Sequence, residues 1–212
     1  MTFSSFLTDQ HEALVLDASV LINLLATGNA GSILLALDVP LLVTEHVVRE
    51  IGRGISDGRL ESEMLAPLIE DQVLIVEELT GPSLEHFFEM VSGQTSNTLG
   101  DGEAATLALA HSKGFSAAID ERKATRIAAE RFGKLKLITT VDILACAPVQ
   151  ASLGRARLAS MTLQALRLAR MQVWDHQFDW VVQLIGQENL GECPSLKKLS
   201  RRRSTALSNY QA

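Results

Sequence analysis

The sequence has few cysteines and no long apolar run, and these absences exclude several classes of protein. Cys146 and Cys193 are the only cysteines among 212 residues, too few for a disulfide framework and wrongly spaced for a zinc site. We expect both to be reduced thiols in a cytoplasmic protein. Because no apolar run reaches the roughly 18–20 residues that a membrane span needs, we expect no membrane association.

Sequence signatures of other classes are also missing. The first residues lack a basic region followed by an apolar stretch, so we expect no secretory signal. The sequence has no P-loop, no G-x-G-x-x-G fingerprint and no Ser-His-Asp pattern. Its histidines have neither H-x₃-H nor H-E-x-x-H spacing, which argues against zinc. An apolar fraction of 47% nevertheless supports a packed core and excludes a disordered chain.

Charge is divided unevenly along the chain, whose net charge is −6. Residues 1–150 carry 10 basic and 21 acidic side chains, whereas residues 151–212 carry 9 basic and 4 acidic ones. This division predicts different partners for the two parts, or a basic segment that shields an acidic body. We expect one domain over residues 1–150 and a helical, basic extension over residues 151–212, with a loosely ordered end from residue 194.

Short apolar segments rich in strand formers alternate with segments of helical period. The predicted strands lie at residues 13–17, 41–43, 73–76, 114–119 and 135–138. Predicted helices lie between them, with Ser19 and Thr44 as candidate N-caps, an amphipathic helix over 57–70 and a loop over 92–101. Since this alternation is typical of β-α-β units, we expect a three-layer α/β/α fold with a mostly parallel sheet, followed by C-terminal helices.

Four acidic residues from separate segments are predicted to meet at one edge of this sheet. Asp17 and Asp120 each follow a predicted strand, at the carboxyl ends where parallel sheets bind ligands. Glu50 and Glu103 lie on helices that follow the second strand and the polar loop. Crowded carboxylates repel one another, and Mg²⁺ or Mn²⁺, which prefer oxygen ligands, relieve that repulsion. Such a site positions a metal-bound water for in-line attack on a phosphodiester.

Each acid also has an ordinary structural interpretation. A strand-end residue such as Asp17 or Asp120 often caps the next helix. Glu103 in a first helical turn is favoured by the helix dipole alone, and Glu50 is typical of a solvated helix face. The residues by themselves leave both interpretations open.

Three motifs, in this order and spacing, resemble those of PIN domains, the fold of many metal-dependent ribonucleases, including VapC-like toxins. They are VLDASVLINL at 15–24, VTEHVVREI at 43–51, and a stretch from GEA at 102–104 to AIDERKA at 118–124. The third motif is the most specific and is similar to that of a prokaryotic PIN subgroup described as nucleic-acid-binding or toxin-like. The resemblance covers about residues 12–150 and implies the α/β/α fold of that family.

The resemblance also implies an acidic quartet that acts on RNA with Mg²⁺ or Mn²⁺. Asp17 and Asp120 would bind the metal most directly, and Glu103 would complete the first shell or hold its water. Glu50 would orient or deprotonate a metal-bound water. Ser19 would support Asp17 or contact substrate phosphate.

Three further residues, Asn23, Glu121 and Asp142, are assigned by the same resemblance. Asn23 matches a polar position of the first motif, where it would support Asp17 or contact substrate phosphate, and Glu121 is a candidate extra acid. Asp142 and Thr139 stand where relatives commonly have glycine, so the sequence does not determine the local backbone geometry. Asp142 is accordingly either a fifth acid or a helix cap.

The implied activity is that of a metal-dependent endoribonuclease, with RNA as substrate, an antitoxin protein as a candidate partner and a homodimer as the expected assembly. The alternative is a non-catalytic RNA- or protein-binding module on the same fold. Residues 151–212 match none of the motifs. Their arginines at 155, 157, 167 and 170 either bind RNA phosphates from one helix face or lie on the solvent side of a dimerisation or packing helix.

Overall fold

The computed structural model of the chain describes residues 3–7, 11–53, 61–92 and 98–210, with side chains at all of these except 61–62 and 206–210. Its strands are β1 (Leu14–Leu16), β2 (Leu41–Thr44), β3 (Ile75–Glu77), β4 (Ser116–Ala118) and β5 (Leu137–Ile138). Its first seven helices are α1 (Ala18–Ala26), α2 (Ala30–Leu35), α3 (Glu45–Arg53), α4 (Glu61–Glu70), α5 (Pro82–Val91), α6 (Asp101–Lys113) and α7 (Arg122–Arg131). After β5 come α8 (Thr140–Ala145), α9 (Ala147–Leu168), α10 (Phe178–Ile185) and α11 (Pro194–Tyr210), with 3-10 turns at Asp175–Gln177 and Gln187–Glu192.

The strands form one parallel sheet in the order β3-β2-β1-β4-β5. The central strand β1 pairs with β4 so that Leu16 lies beside Ala118. Chain order reverses between β1 and β4, and a reversal of this kind opens a crevice beyond the carboxyl ends of the strands. The residues that follow these two strands are therefore brought to one place.

Each face of the sheet carries its own apolar core, because successive strand residues point to opposite faces. Leu14 and Leu16 are buried in one core with α1–α4 and the helices from α8 onward. Val15, between them, is buried in the other core with α5, α6 and α7. The two helical layers and the sheet between them are the predicted three-layer α/β/α fold.

The segment after residue 150 shares the first of these cores. Helix α9 begins at Ala147, so it crosses the boundary that the charge division predicts. Leu166 and Leu196 are fully buried in the same core as β1. The loosely ordered end predicted from residue 194 was wrong, because Leu196 and Leu199 give α11 a buried face. Residues 211–212 lie outside the described part of the chain.

The arginines of α9 do not form a free stripe for RNA. Arg155 and Arg157 donate hydrogen bonds to groups on other elements, at 2.6 and 2.7 Å, and Arg167 forms an ion pair with Glu192. Arg170 lies beyond the end of the helix. The packing interpretation therefore describes three of these four arginines.

Some predicted boundaries and caps were also wrong. The N-cap of α1 is Asp17 rather than Ser19, whereas Thr44 accepts the Val47 amide hydrogen bond at 3.3 Å as predicted. Helices α2, α5 and α8 were not predicted. Parts of the predicted 57–70 helix and 92–101 loop, residues 57–60 and 93–97, lie outside the described residues.

Both cysteines are free and buried, and no helix in the described ranges is long and apolar enough to cross a membrane.

Candidate active site

A cavity of about 390 Å³ lies at the carboxyl ends of β1 and β4. The structure brings seven of the eight residues that the motifs single out to its wall. They are Asp17, Ser19, Asn23, Glu50, Glu103, Asp120 and Glu121. The wall therefore carries five carboxyl groups, and Arg170 is the one basic side chain among its described lining residues.

Asp17 combines a structural role with a free carboxylate oxygen. Its Oδ2 accepts hydrogen bonds from the amide and the hydroxyl of Ser19, at 3.1 and 2.6 Å, and so caps α1. Its Oδ1 is buried and has no hydrogen-bond partner in the structure. Burial raises the pKa of Asp17, although the bonds from Ser19 oppose that rise. Capping therefore uses one oxygen and leaves the other for a ligand.

Asp120 is held by donors from two other elements. The Asn23 amide donates to Oδ2 at 2.7 Å, and the Thr140 hydroxyl donates to the same atom at 2.5 Å. The Thr140 backbone N–H donates to Oδ1 at 2.9 Å. Burial raises the pKa of Asp120 to about 6 despite these bonds, and the nearby charge of Asp17 adds to the rise.

Glu103 projects from the first turn of α6. Its Oε2 accepts a hydrogen bond from the amide of Gly100, the N-cap residue, at 3.2 Å. Burial, helped by the charges of Asp17, Glu121 and Glu50, raises the pKa of Glu103 to about 7. A group with this pKa changes its charge within the ordinary working range of an enzyme.

Glu50 is an exposed residue of α3 that reaches the cavity across a glycine. A Cβ atom on Gly102 would overlap Glu50 Oε2, so the absence of a side chain at this position makes room for the carboxylate. Partial burial raises the pKa of Glu50, and the charges of Asp17 and Asp101 add to this effect. The glycine of the GEA motif is thus needed for the position of Glu50.

The two candidate extra acids have different positions. Glu121 lines the cavity, and its Oε2 also accepts the Ala124 amide at 2.7 Å as the N-cap of α7. Asp142 is buried away from that wall and forms a capping box with Thr139, whose hydroxyl lies 2.6 Å from Asp142 Oδ2. Phe6 donates its amide to the other oxygen of Asp142 at 3.1 Å. Of the two interpretations left open for Asp142, the geometry supports the helix cap.

The threonines after β5 have roles that the motifs do not reveal. Thr139 has φ −106°, an ordinary value for any residue, so glycine is not required at the start of α8. Thr140, the next residue, is the main support of Asp120. Arg170 and Gln172, beyond the end of α9, line the cavity as well. These residues lie outside the motifs, and nothing in their local sequence signals their positions.

The carboxylate oxygens that line the cavity are chemically suited to bind a divalent cation. Carboxylate oxygens are the ligands that Mg²⁺ and Mn²⁺ prefer, and Asp17 Oδ1 is buried with no hydrogen-bond partner among the described residues. None of the ion pairs in the described ranges involves Asp17, Glu103 or Asp120. In those same ranges, no three acidic, histidine or cysteine side chains are close enough to form a metal-binding group as they stand. The acids line one cavity without forming a closed coordination shell.

The sequence model of a family described as a PIN domain matches residues 13–187. The chain belongs to the PIN domain family. The matched range extends past residue 150, where the resemblance was expected to end, and it includes α9, α10 and the Arg170 position. PIN domains are generally nucleases and typically use divalent metals, which supports a hydrolase class for this one. No curated protein matches the chain in sequence.

Proposed function

We propose that this PIN domain is a metal-dependent endoribonuclease that hydrolyses RNA phosphodiester bonds at the cavity between β1 and β4. The observation that carries the proposal is the meeting of Asp17, Glu103 and Asp120 in one cavity, each with a raised pKa and no described ion pair. Carboxyl groups held in this way are characteristic of functional sites. Membership of a nuclease family supports the same reaction class.

Asp17, Glu103 and Asp120 are the residues proposed to hold Mg²⁺ or Mn²⁺. When bound, the ion supplies a Lewis acid and a bound water of lowered pKa. Asp17 offers its unpartnered Oδ1, while Asn23 and Thr140 fix the orientation of Asp120. The supporting groups therefore hold the carboxylates in place before substrate arrives.

Glu50 is proposed to accept the proton of the attacking water. It is the most exposed member of the quartet, and its carboxylate lies over Gly102 at the cavity. A carboxylate is a general base when it is ionised, and its raised pKa makes it a stronger base than a free glutamate. Ser19 is already bonded to Asp17 and supports that residue.

A cytoplasmic, toxin-like role, with an antitoxin protein as partner and a homodimer as assembly, extends this proposal and is supported by the family resemblance. The competing function is a non-catalytic RNA- or protein-binding module. The presence of all four acids in one cavity favours the enzyme, because a binding module has no need for uncompensated carboxylates.

Cleavage of a mixed set of end-labelled RNAs tests the proposal. Purified protein is assayed with Mn²⁺, with Mg²⁺ and with EDTA, beside Asp120→Asn and a Glu85→Gln control that changes an exposed acid of α5. We expect cleavage with metal in the wild-type and Glu85→Gln proteins, and none with EDTA or with Asp120→Asn. Cleavage that survives in EDTA, or in folded Asp120→Asn, would contradict the proposed mechanism.

A further inference from the structure

A second cavity adjoins the acidic one and carries the opposite charge. It measures about 550 Å³, and the basic side chains on its wall are Arg122, Arg170, Lys198 and Arg202. Its described lining residues include no acid. Arg170 and Gln172 line both cavities, so the two are neighbours. We call this second cavity the basic groove.

The four cations of the basic groove are available to a ligand. None of them forms an ion pair with an acidic side chain that the structure describes, whereas the neighbouring Arg203 pairs with Asp179. Lys198 and Arg202 are four residues apart on α11 and exposed, so they share a face. Arg122 lies 5.3 Å from the ring centroid of Trp174, which holds its guanidinium.

Arg170 has a backbone conformation that favours glycine. Its φ is 55°, in the left-handed region, and the Met171 amide donates back to the Ala165 carbonyl at 3.3 Å. This pattern ends many helices, and glycine occupies the left-handed position most readily because it has no Cβ. Compared with glycine, an arginine at this position lowers the stability of the fold. It also places a long cationic side chain at the junction of the two cavities.

We propose that the basic groove binds the sugar-phosphate backbone of the RNA strand beside the acidic cavity, with Arg170 at the junction. This inference rests on the proposed function, since it assigns the path of the same substrate. An acidic cavity alone repels a polyanion, and adjacent unpaired cations offset that repulsion. Ser195 lines the groove too, and its buried hydroxyl has no partner in the structure, so it is a further donor for a phosphate oxygen.

Binding of labelled single-stranded RNA in EDTA tests the inference without requiring cleavage. The groove variant replaces all four groove cations, at positions 122, 170, 198 and 202, by Gln. Its matched control replaces exposed cations outside the groove, Lys113, Lys134, Lys197 and Arg201, by Gln, and so removes the same charge. We expect the groove variant to bind roughly 30-fold more weakly at low salt. The slope of log K against log salt concentration is expected to become shallower by about 0.7 for each phosphate contact that is lost. The control is expected to lose less than about threefold.

Arg170→Gly separates binding from folding. Glycine relieves the left-handed strain, so this variant is expected to have a higher Tm than the wild type and weaker RNA binding. Equal losses of affinity in the groove variant and its control, or unchanged binding in Arg170→Gly, would overturn the inference. Groove-dependent binding without any metal-dependent cleavage would instead count against the proposed nuclease and leave the groove assignment standing.

Discussion

The Asn23 side chain donates a 2.7 Å hydrogen bond to Asp120, and so joins helix α1 to the end of β4 across the crevice of the sheet. The two residues are 97 positions apart in sequence. Both are buried, so the bond is protected from competing water. It fixes one carboxylate of the candidate site relative to Asp17, which caps the same helix α1.

Asp17→Asn is expected to abolish cleavage and to leave Tm unchanged or raised. The substitution removes a buried negative charge that lies near Glu121, Glu50 and Glu103, and the repulsion among these groups falls. Asparagine still offers an oxygen to Ser19 and caps helices as well as aspartate. Cleavage assays and thermal unfolding of the two proteins check this, and a folded, fully active variant would refute the role of Asp17.

Gly102→Ala is expected to reduce cleavage about tenfold or more without lowering Tm. The added Cβ displaces the Glu50 carboxylate, while alanine favours the helix by about 1 kcal/mol over glycine. Gly52→Ala is the matched control, because a Cβ at Gly52 on α3 meets no atom within 4 Å. Equal activity of the two variants would show that the position of Glu50 is unimportant.

Thr140→Val is expected to move the acidic limb of the pH–activity profile to higher pH. The Thr140 hydroxyl donates to the ionised Asp120 carboxylate and lowers its pKa, so loss of that donor raises the pKa above about 6. Thr140→Ser keeps a hydroxyl and is expected to keep the wild-type profile. Identical pH–activity profiles for Thr140→Val and Thr140→Ser would mean that Asp120 does not control the acidic limb.

The stability of the metal-free protein is expected to fall as pH rises from about 4.5 to 7. Glu103 has a folded-state pKa of about 7 against an ordinary 4.5, so the folded state binds more protons than the unfolded state in this window. Glu103→Gln removes the Glu103 part of this dependence. In EDTA at pH 8 it is expected to be more stable by about 2 kcal/mol, or roughly 4–8 °C in Tm, which is less than the full shift would give because solvent screens this partly exposed group.

The difference between Glu103→Gln and the wild type is expected to shrink as pH falls and to be small at pH 4.5, where the folded wild-type chain holds the Glu103 proton and the unfolded chain holds it about half of the time. Comparing the two proteins at each pH cancels the contributions of the titrating groups that do not interact with Glu103. A Tm difference that stays constant from pH 4.5 to 8 would show that the Glu103 pKa is not raised.

The acids that follow strands were predictable because the sheet itself brings them together. A short buried strand that ends on an aspartate, as at Asp17 and Asp120, fixes the position of that residue once the strands are parallel. For Asp142 the sequence left a fifth acid and a helix cap open, and the structure selects the cap that it forms with Thr139. Sheet topology was sufficient only for the aspartates that follow strands.

The remaining parts of the site depend on packing that no local pattern encodes. Arg170 and Gln172 reach the cavity because α9 packs on the same core as α1, and this contact joins segments far apart in the chain. Helix α11 was missed because its basic residues outweigh the small buried face of Leu196 and Leu199. Composition describes the charge of such a segment and not the surface against which it folds.

A titration of the protein with Mn²⁺, followed by the electron paramagnetic resonance of the free ion, tests the central claim most directly. Wild type, Asp17→Asn and Glu85→Gln are compared at pH 8, where Asp120 and Glu103 are ionised. The account predicts loss of the free-ion signal with wild type and Glu85→Gln, and a much weaker loss with Asp17→Asn. No Mn²⁺ binding by the wild type at millimolar concentration, or equal binding by Asp17→Asn, would contradict a metal site built on these carboxylates.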